Sequence, residues 1–337
     1  MRGYTSSYNH DGLYVLIGRQ GALCGNVRSV FGKIYITEHA IAVAGNEKSD
    51  TNFLHYLFLK MNLGQYSDQS AQPGLAVNKL LKLKVLLPSI SEQIKIAKLL
   101  SLLDERIAVQ SRLIEDLKKL RCAIIENVFC SPNHNESALR FKGNTDPLST
   151  YRMEDFCSRI TRKNKDNQCS LVLTIAAQYG LVDQESFFNK TVASENLAGY
   201  YLLHKGEFAY NRSYSAGYDW GAVKRLEKYP EGVLSTLYIC FKIDESAVDS
   251  DYLAYYFEST KWHKGLSDIA GEGARNHGLL NVSVNDYFNT RHRFHCMREQ
   301  KIIASMLNVI SQKENDEIAL YDNYQKQKQY LLRKMFI

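Results

Sequence analysis

Between residues 96 and 128 a series of ten positions, eight of them apolar, returns at alternating steps of four and three. The series runs Ile96, Leu100, Leu103, Ile107, Gln110, Ile114, Leu117, Arg121, Ile124 and Val128. That spacing is the seam of a helix packed along another helix. A second series keeps the same steps near the end of the chain: Ile303, Leu307, Ile310, Glu314, Glu317, Tyr321, Tyr324, Lys328, Leu331 and Met335. Ser89 followed by Glu92 has the form of a capping box for the first helix, and Ser131-Pro132-Asn133 closes it. Each helix should be roughly 55 Å long at the α-helical rise.

The two series are copies. With a constant shift of 207, residues 91–130 meet 298–337 without a gap, and eight of the forty positions are identical, Glu92-Gln93 on Glu299-Gln300 among them. A long helix cannot absorb an insertion without rotating its faces, so the missing gaps matter as much as the identities. Matching length and register predict that the seams pack on each other as an antiparallel coiled coil. The copies extend upstream more faintly. Gly12-Leu13-Tyr14-Val15-Leu16 parallels Gly206-Glu207-Phe208-Ala209-Tyr210, and Asp50–Phe58 parallels Asp249–Phe257.

Outside the helices, short β-rich runs such as Leu171–Ile175 and Thr236–Phe241 alternate with glycine-bearing turns and brief helices. The fold class expected is therefore α+β, with two globular domains separated by two long helices. The boundaries follow: 1–87 a first domain, 88–130 the first spacer helix, 131–150 a polar linker, 151–297 a second domain and 298–337 the second spacer helix. Only 11 residues precede Gly12, against about 55 in the second domain before Gly206. The first domain is thus expected to lack its opening strands at the N-terminus.

Charge narrows the function less than pattern does. The net charge of +6 is mild, and residues 131–297 carry 19 Lys/Arg against 20 Asp/Glu. A non-specific polyanion binder would be more basic, so charge permits nucleic-acid binding without establishing it. Seven cysteines are scattered with no CxxC pair, which argues against a zinc site or disulfide framework and for a reducing cytoplasm. No apolar run reaches the roughly 18 residues of a bilayer span, so no membrane partner is expected.

Order and repeat together resemble the DNA specificity subunits of type I restriction-modification systems. The residues carrying the resemblance are Leu87-Pro88-Ser89-Ile90-Ser91-Glu92-Gln93 with the weaker copy Met297-Arg298-Glu299-Gln300. Leu173-Thr174-Ile175, Gly180-Leu181-Val182, Tyr200-Tyr201 and Gly206–Asn211 add the pattern of an opening half of a target-recognition domain. The resemblance implies a non-catalytic subunit that reads a bipartite site in double-stranded DNA. It also implies two methyltransferase subunits docked on the helices, restriction and translocase subunits joined through them, and no cofactor. The alternative is a truncated or rearranged fragment, inactive on DNA, acting only as a coiled-coil interaction protein.

Reading bases requires planar donors in the major groove with phosphate anchors beside them. The candidates are Arg159, Arg162, Lys163 and Lys165; Tyr210, Asn211, Arg212 and Tyr214; Lys224 and Arg225; Arg275 and Asn276; and, in the first domain, Arg19 and Gln20. The helix-pair interface is expected to use Ile96, Leu100, Leu103, Ile107, Ile114, Leu117, Ile124 and Val128 from the first helix. The second supplies Ile303, Leu307, Ile310, Tyr321, Tyr324, Leu331 and Met335. No nucleotide-binding P-loop is present, and Asp146-Pro147-Leu148 lacks the second proline of an adenine-methylation tetrapeptide. His292-Arg293-Phe294-His295-Cys296 fits no standard metal spacing and is expected to be structural.

Overall fold

The computed structural model describes residues 5–68, 73–144, 146–190, 196–213, 217–269 and 280–336. The chain divides into two compact units, Met1–Glu115 with Asn315–Ile337, and Asp116–Glu314. Both long helices contribute to both units.

The first unit opens on strands β1 (His10–Gly18), β2 (Val27–Ile34) and β3 (Ala40–Val43), which form an antiparallel sheet in the order β2-β1-β3. Val15 and Ile17 point inward from β1 onto helix α1 (Thr51–Met61). Asp50 caps α1 by accepting from the Phe53 N–H (2.8 Å), and Asn62 ends it in the left-handed region at φ 47°. Phe53, Leu54, Tyr56 and Leu57 are its buried stripe. A short helix α2 (Val77–Leu81) and an extended stretch lead to the long helix α3 (Ile90–Val128). The Ser89 carbonyl accepts from Glu92 N–H at 3.0 Å, while the Ser89 hydroxyl lies 3.1 Å from Ser91 Oγ. The expected capping box is therefore replaced by a serine–serine contact, leaving Glu92 exposed.

The second unit begins with β4 (Ser149–Arg152), α4 (Met153–Phe156) and β5 (Cys157–Arg159). Hairpin β6 (Leu173–Ala176) and β7 (Gly180–Asp183) precedes α5 (Gln184–Phe188) and the strands β8 (Tyr201–His204), β9 (Phe208–Asn211), β10 (Ala222–Arg225), β11 (Glu231–Leu234) and β12 (Ile239–Ile243). Helices α6 (Ser250–Tyr256), α7 (His263–Ser267) and α8 (Val284–Phe288) follow, then β13 (Arg291–Phe294) and the second long helix α9 (Met297–Met335). The central sheet runs β10-β9-β12-β5, and β13 pairs with β4. One face of the sheet (Phe208, Tyr210, Phe241) packs on Tyr252, Tyr256 and Trp262; the other (Ala209, Ala222, Cys240) packs on Leu173, Ile175 and Leu203. The stretch expected as a polar linker is docked in part. Leu148 is buried, and Arg140 pairs with the wholly buried Glu299 at 2.5 Å.

Superposing the two patterns corrects the register read upstream of the helices. Val15 and Ile17 face α1 as Phe208 and Tyr210 face α6, so Val15 corresponds to Phe208, one residue away from the pairing of Gly12 with Gly206. Side chains alternate with period two along a strand, and a one-residue slip exchanges the core face for the outer one.

Within the first unit the long helices run antiparallel. Lys328 Nζ meets Asp104 (2.5 Å), Arg106 lies over the Tyr324 ring (5.5 Å), and Gln110 Nε2 donates to the Glu317 carbonyl (3.0 Å) and carboxylate. In the second unit Arg121 Nε donates to Glu314 at 3.1 Å and Nη1 to Glu258 at 2.5 Å. Polar seam positions thus meet partners across the helices. Among the described residues no helix is long and apolar enough to cross a membrane.

Candidate nucleic-acid interface

Three of the nominated cations gather on one edge of the second unit. Arg159 ends β5 with its guanidinium 3.4 Å from the Tyr201 hydroxyl. Lys163 lies over the same ring at 4.2 Å and donates to the Gly199 carbonyl at 2.7 Å. Exposed Lys165 opens the next turn. Arg162 stands among them but is spoken for, donating to Glu207 Oε2 (2.6 Å) and the Leu202 carbonyl (3.2 Å). The cluster therefore presents exposed positive charge of the kind that grips phosphate, anchored on the Tyr201 ring, which is itself buried and leaves no face for a base.

Other nominated residues are bound into the fold. Tyr210 is wholly buried, stacked on Tyr287 at 4.7 Å, with its hydroxyl donating to the Trp220 carbonyl (2.9 Å). It has no face left for a base, because its position on β9 points to the core. Asn211 accepts from the Ser213 N–H at 3.0 Å. Arg212 spends Nη1 on the Val282 carbonyl and Nη2 on the Leu237 carbonyl, both at 3.1 Å, and so braces two loops. Arg225 is neutralised by Asp251 (2.7 Å) and Glu227 (2.9 Å). Partial burial works against ionisation of Asp251, yet the Asn308 amide and Arg225 hold its carboxyl below the usual range. Lys224 is half-buried. The β9–β10 turn depends on Gly221, at φ +76°, where a Cβ would lie 2.1 Å from the Asn211 carbonyl oxygen. Tyr214, Arg275 and Asn276 lie outside the described residues.

In the first unit, the Gln20 amide oxygen lies 2.8 Å from His39 Nδ1. Arg19 holds its loop through the backbone, its N–H donating to the His39 carbonyl and its carbonyl accepting from Leu75 N–H. Of the two, Gln20 has the exposed side chain.

The helix positions divide by depth. Ile96, Leu100, Leu103, Ile107, Val128, Ile303 and Leu307 are buried. Ile114, Leu117, Ile124, Ile310, Tyr321, Tyr324, Leu331 and Met335 are half-buried. Near the end of α3 the deeper residue is Ile125, beside the nominated Ile124.

A feature given no role from sequence is a joint that the two units build on the same plan. Gln93 is wholly buried; its oxygen accepts from Asp50 N–H, and its amide donates to the Lys48 and Pro88 carbonyls, each at 2.9 Å. In the second unit Gln300 accepts from Asp249 N–H (2.8 Å) and donates to the His295 carbonyl (2.9 Å). Asp50 and Asp249 are the caps of α1 and α6, so each glutamine fastens a spacer helix to the capped helix of its own unit. The opposite spacer helix adds an aromatic contact: Phe336 on Phe53, and Phe129 on Tyr252, both with centroids 5.0 Å apart. The repeated Glu-Gln dipeptide was the available signal, but identity alone did not say what the amide holds.

The histidines beside this joint are structural. His292 has Tyr256 Oη 3.0 Å from Nδ1 and Thr290 Oγ1 2.9 Å from Nε2. Burial pushes its pKa down to about 3. His295 faces the Tyr252 hydroxyl at 2.8 Å; burial lowers it to about 4 despite the upward pull of Glu299.

Comparison with known proteins adds the following. A model of the type I restriction modification DNA specificity domain matches residues 2–119. Over 104 residues the chain is 49% identical to the EcoprrI specificity subunit of Escherichia coli, covering 31% of this chain and 26% of that one. Over 106 residues it is 28% identical to a putative type I restriction enzyme specificity subunit of Haemophilus influenzae, covering 31% and 28%. These matches span about a quarter of each relative's length. Among solved structures, the type I restriction-modification S subunit from M. genitalium aligns over 100% of this chain and 86% of its own, at 14% identity and a TM-score of 0.61. A chain from a study of assembly and conformational transition of the type I R-M system aligns over 99% and 84%, at 14% identity and a TM-score of 0.52. At that identity the likeness concerns the fold.

Proposed function

We propose that the chain belongs to the type I restriction-modification DNA specificity family and is a non-catalytic subunit reading a bipartite site in double-stranded DNA. Each unit reads one half-site. The paired helices dock two methyltransferase subunits in the cytoplasm, and restriction and translocase subunits join through these. The observation carrying this reading is the duplicated joint of Asp50, Gln93 and Phe53/Phe336 with Asp249, Gln300 and Tyr252/Phe129. Two units fastened to two long helices by the same bonds suit a protein that presents two readers. A joint in which a buried glutamine holds backbone groups of both elements also suits a reader whose register must not drift.

DNA reading in the second unit is assigned to the Arg159, Lys163 and Lys165 edge, where cations surround Tyr201. In the first unit Gln20 is the candidate. The test is binding of a defined duplex by the chain with its methyltransferase, as a function of salt. Several phosphate contacts give a steep log–log slope, about 0.9 per neutralised phosphate. A flat response would overturn the reading.

One observation favours the second reading, a coiled-coil interaction protein inactive on DNA. Arg162, Arg212 and Arg225 are each committed to acceptors within the fold. In that case methyltransferase co-purifies with the chain while specific duplex binding is absent.

A further inference from the structure

A second β-layer of the second unit packs on the Ala209, Ala222 and Cys240 face of the central sheet. Residues 162–164 meet 200–202 through an antiparallel bridge of Lys163 with Tyr201, and β8 pairs with β11. Val172 bridges Val233 in parallel, which sets β6, and β7 beyond it, beside β11. These registers bring one end of each strand to the same side. Tyr201 pairs with Leu234, and β6 runs parallel with β11, so Lys163, the loop 235–238 and the β6–β7 turn emerge together. The Thr174 hydroxyl, 3.3 Å from that of Tyr238, closes the hairpin onto this loop.

The β6–β7 hairpin is sunk in that layer except at its turn. Leu173, Thr174, Ile175, Ala176, Leu181 and Val182 are all buried. The Tyr179 N–H donates to the Ala176 carbonyl at 2.9 Å, and Gly180 follows at φ +84°, the left-handed residue that completes a three-residue hairpin loop. What emerges is Gln178, which is exposed, and Tyr179, at 69% exposure. The Gln178 amide makes no hydrogen bond with another described residue, in contrast to the buried Gln93 and Gln300. The fold therefore consumes neither side chain.

We propose that this turn is the base-reading element of the second unit, Gln178 reading an adenine in the major groove and Tyr179 resting on a thymine methyl group beside it. The inference rests on the DNA-reading function proposed above and names the residues that carry its specificity. A planar amide with one donating and one accepting end matches the N6 and N7 edge of adenine, and a two-stranded ribbon is narrow enough to enter the groove. Position supports the pairing of roles. The segment of Lys163 lies three strand spacings from β6, roughly 14 Å. That is close to the roughly 12 Å width of a major groove. A duplex whose backbone rests on Arg159, Lys163 and Lys165 thus turns its groove toward the hairpin tip. Burial of the hairpin body holds the amide in place before DNA arrives, and Arg212 stiffens the adjoining loop by donating to the Leu237 carbonyl.

The test uses the full chain in complex with its methyltransferase. Mapping methylated adenines in cells that carry the complex gives the site, and a duplex with that site is compared with a random-sequence duplex. Gln178→Ala is expected to weaken binding of the site by about ten- to hundredfold. Binding of the random duplex and the salt slope should stay as they are, because no phosphate contact is lost. Gln178→Glu should exchange adenine for cytosine at one position of one half-site, since a carboxylate accepts from cytosine N4. A merely structural role would not produce that exchange. Both side chains are exposed, so the Tm of each variant should match that of the unaltered chain. If the unaltered complex discriminates and Gln178→Ala discriminates equally well, the turn is overturned as the reader while the proposed function stands. Equal weakening on both duplexes with a shallower salt slope makes Gln178 a backbone contact and overturns base reading. An unaltered complex that does not tell the two duplexes apart overturns the function itself, and the inference with it.

Discussion

A buried amide side chain is tolerated when its oxygen and nitrogen both find partners, and Gln93 and Gln300 meet that condition at the same post in two units. Gln93→Ala would leave the Asp50 N–H and two carbonyls without partners, at about 1–3 kcal/mol for each group left dry. The expected result is faster amide exchange across α1 and a lower stability of the first unit, with α6 unchanged; Gln300→Ala should show the reverse. Equal loss in both units would show that the glutamines do not act locally. The histidines make a second prediction at this scale. His292 and His295 are held neutral by burial, with pKa values near 3 and 4 against 6.5 when unfolded. Their contribution is complete above about pH 6.5 and is lost as pH falls toward 4 and 3, because the unfolded chain then takes up protons first. Urea titrations from pH 7 to pH 4 should therefore show the second unit weakening by a few kcal/mol. His292→Phe should flatten that slope; an unchanged slope would place the acid sensitivity elsewhere. The tie of Arg212 to two loop carbonyls was not legible from sequence, since an arginine between asparagine and serine looks the same whether it faces DNA or a neighbouring loop.

At the scale of the element, the two long helices were the most legible part of the chain. Their four-and-three spacing depends only on which residues share a helical face, and that is set by local geometry. Leu100 and Leu307, related by the repeat, are both fully buried, while Leu102 on the outer face is about half exposed. Leu100→Ala and Leu307→Ala should each cost about 2–5 kcal/mol in thermal or urea unfolding. Leu102→Ala should stay within about 0.5 kcal/mol, as surface changes usually do. A Leu102→Ala loss as large as that at Leu100 would contradict the assignment of faces. Strands were less legible. Placing Val15 opposite Phe208 required the burial of both, because sequence similarity could not distinguish two registers one residue apart.

For the whole molecule, the prediction is a salt dependence. If the Arg159–Lys165 edge anchors phosphates, Arg159→Ala combined with Lys165→Ala should lower the log–log slope of duplex binding by about 1–2, and weaken all sequences alike. Genome-wide mapping of methylated adenines with this double variant should then show the same sites methylated less fully. A changed set of methylated sites would instead make these residues base readers. The mildly positive net charge is consistent with such an edge, since a few well-placed cations anchor a backbone without raising the average.

Two amphipathic helices, their common register, the α+β character of what lies between them and the duplication of the whole were determined by the sequence alone. Each is written in periodicities that neighbours along the chain impose on one another. Which arginines remain available and what the repeated glutamine holds were decided by tertiary structure. Those outcomes depend on segments far apart in the chain returning to the same place: Glu207 to Arg162, Asp50 to Gln93, and Ser149–Arg159 to β12 and β13. A hydrogen bond or a strand edge is satisfied by whichever group arrives there, and no local pattern records the arrival.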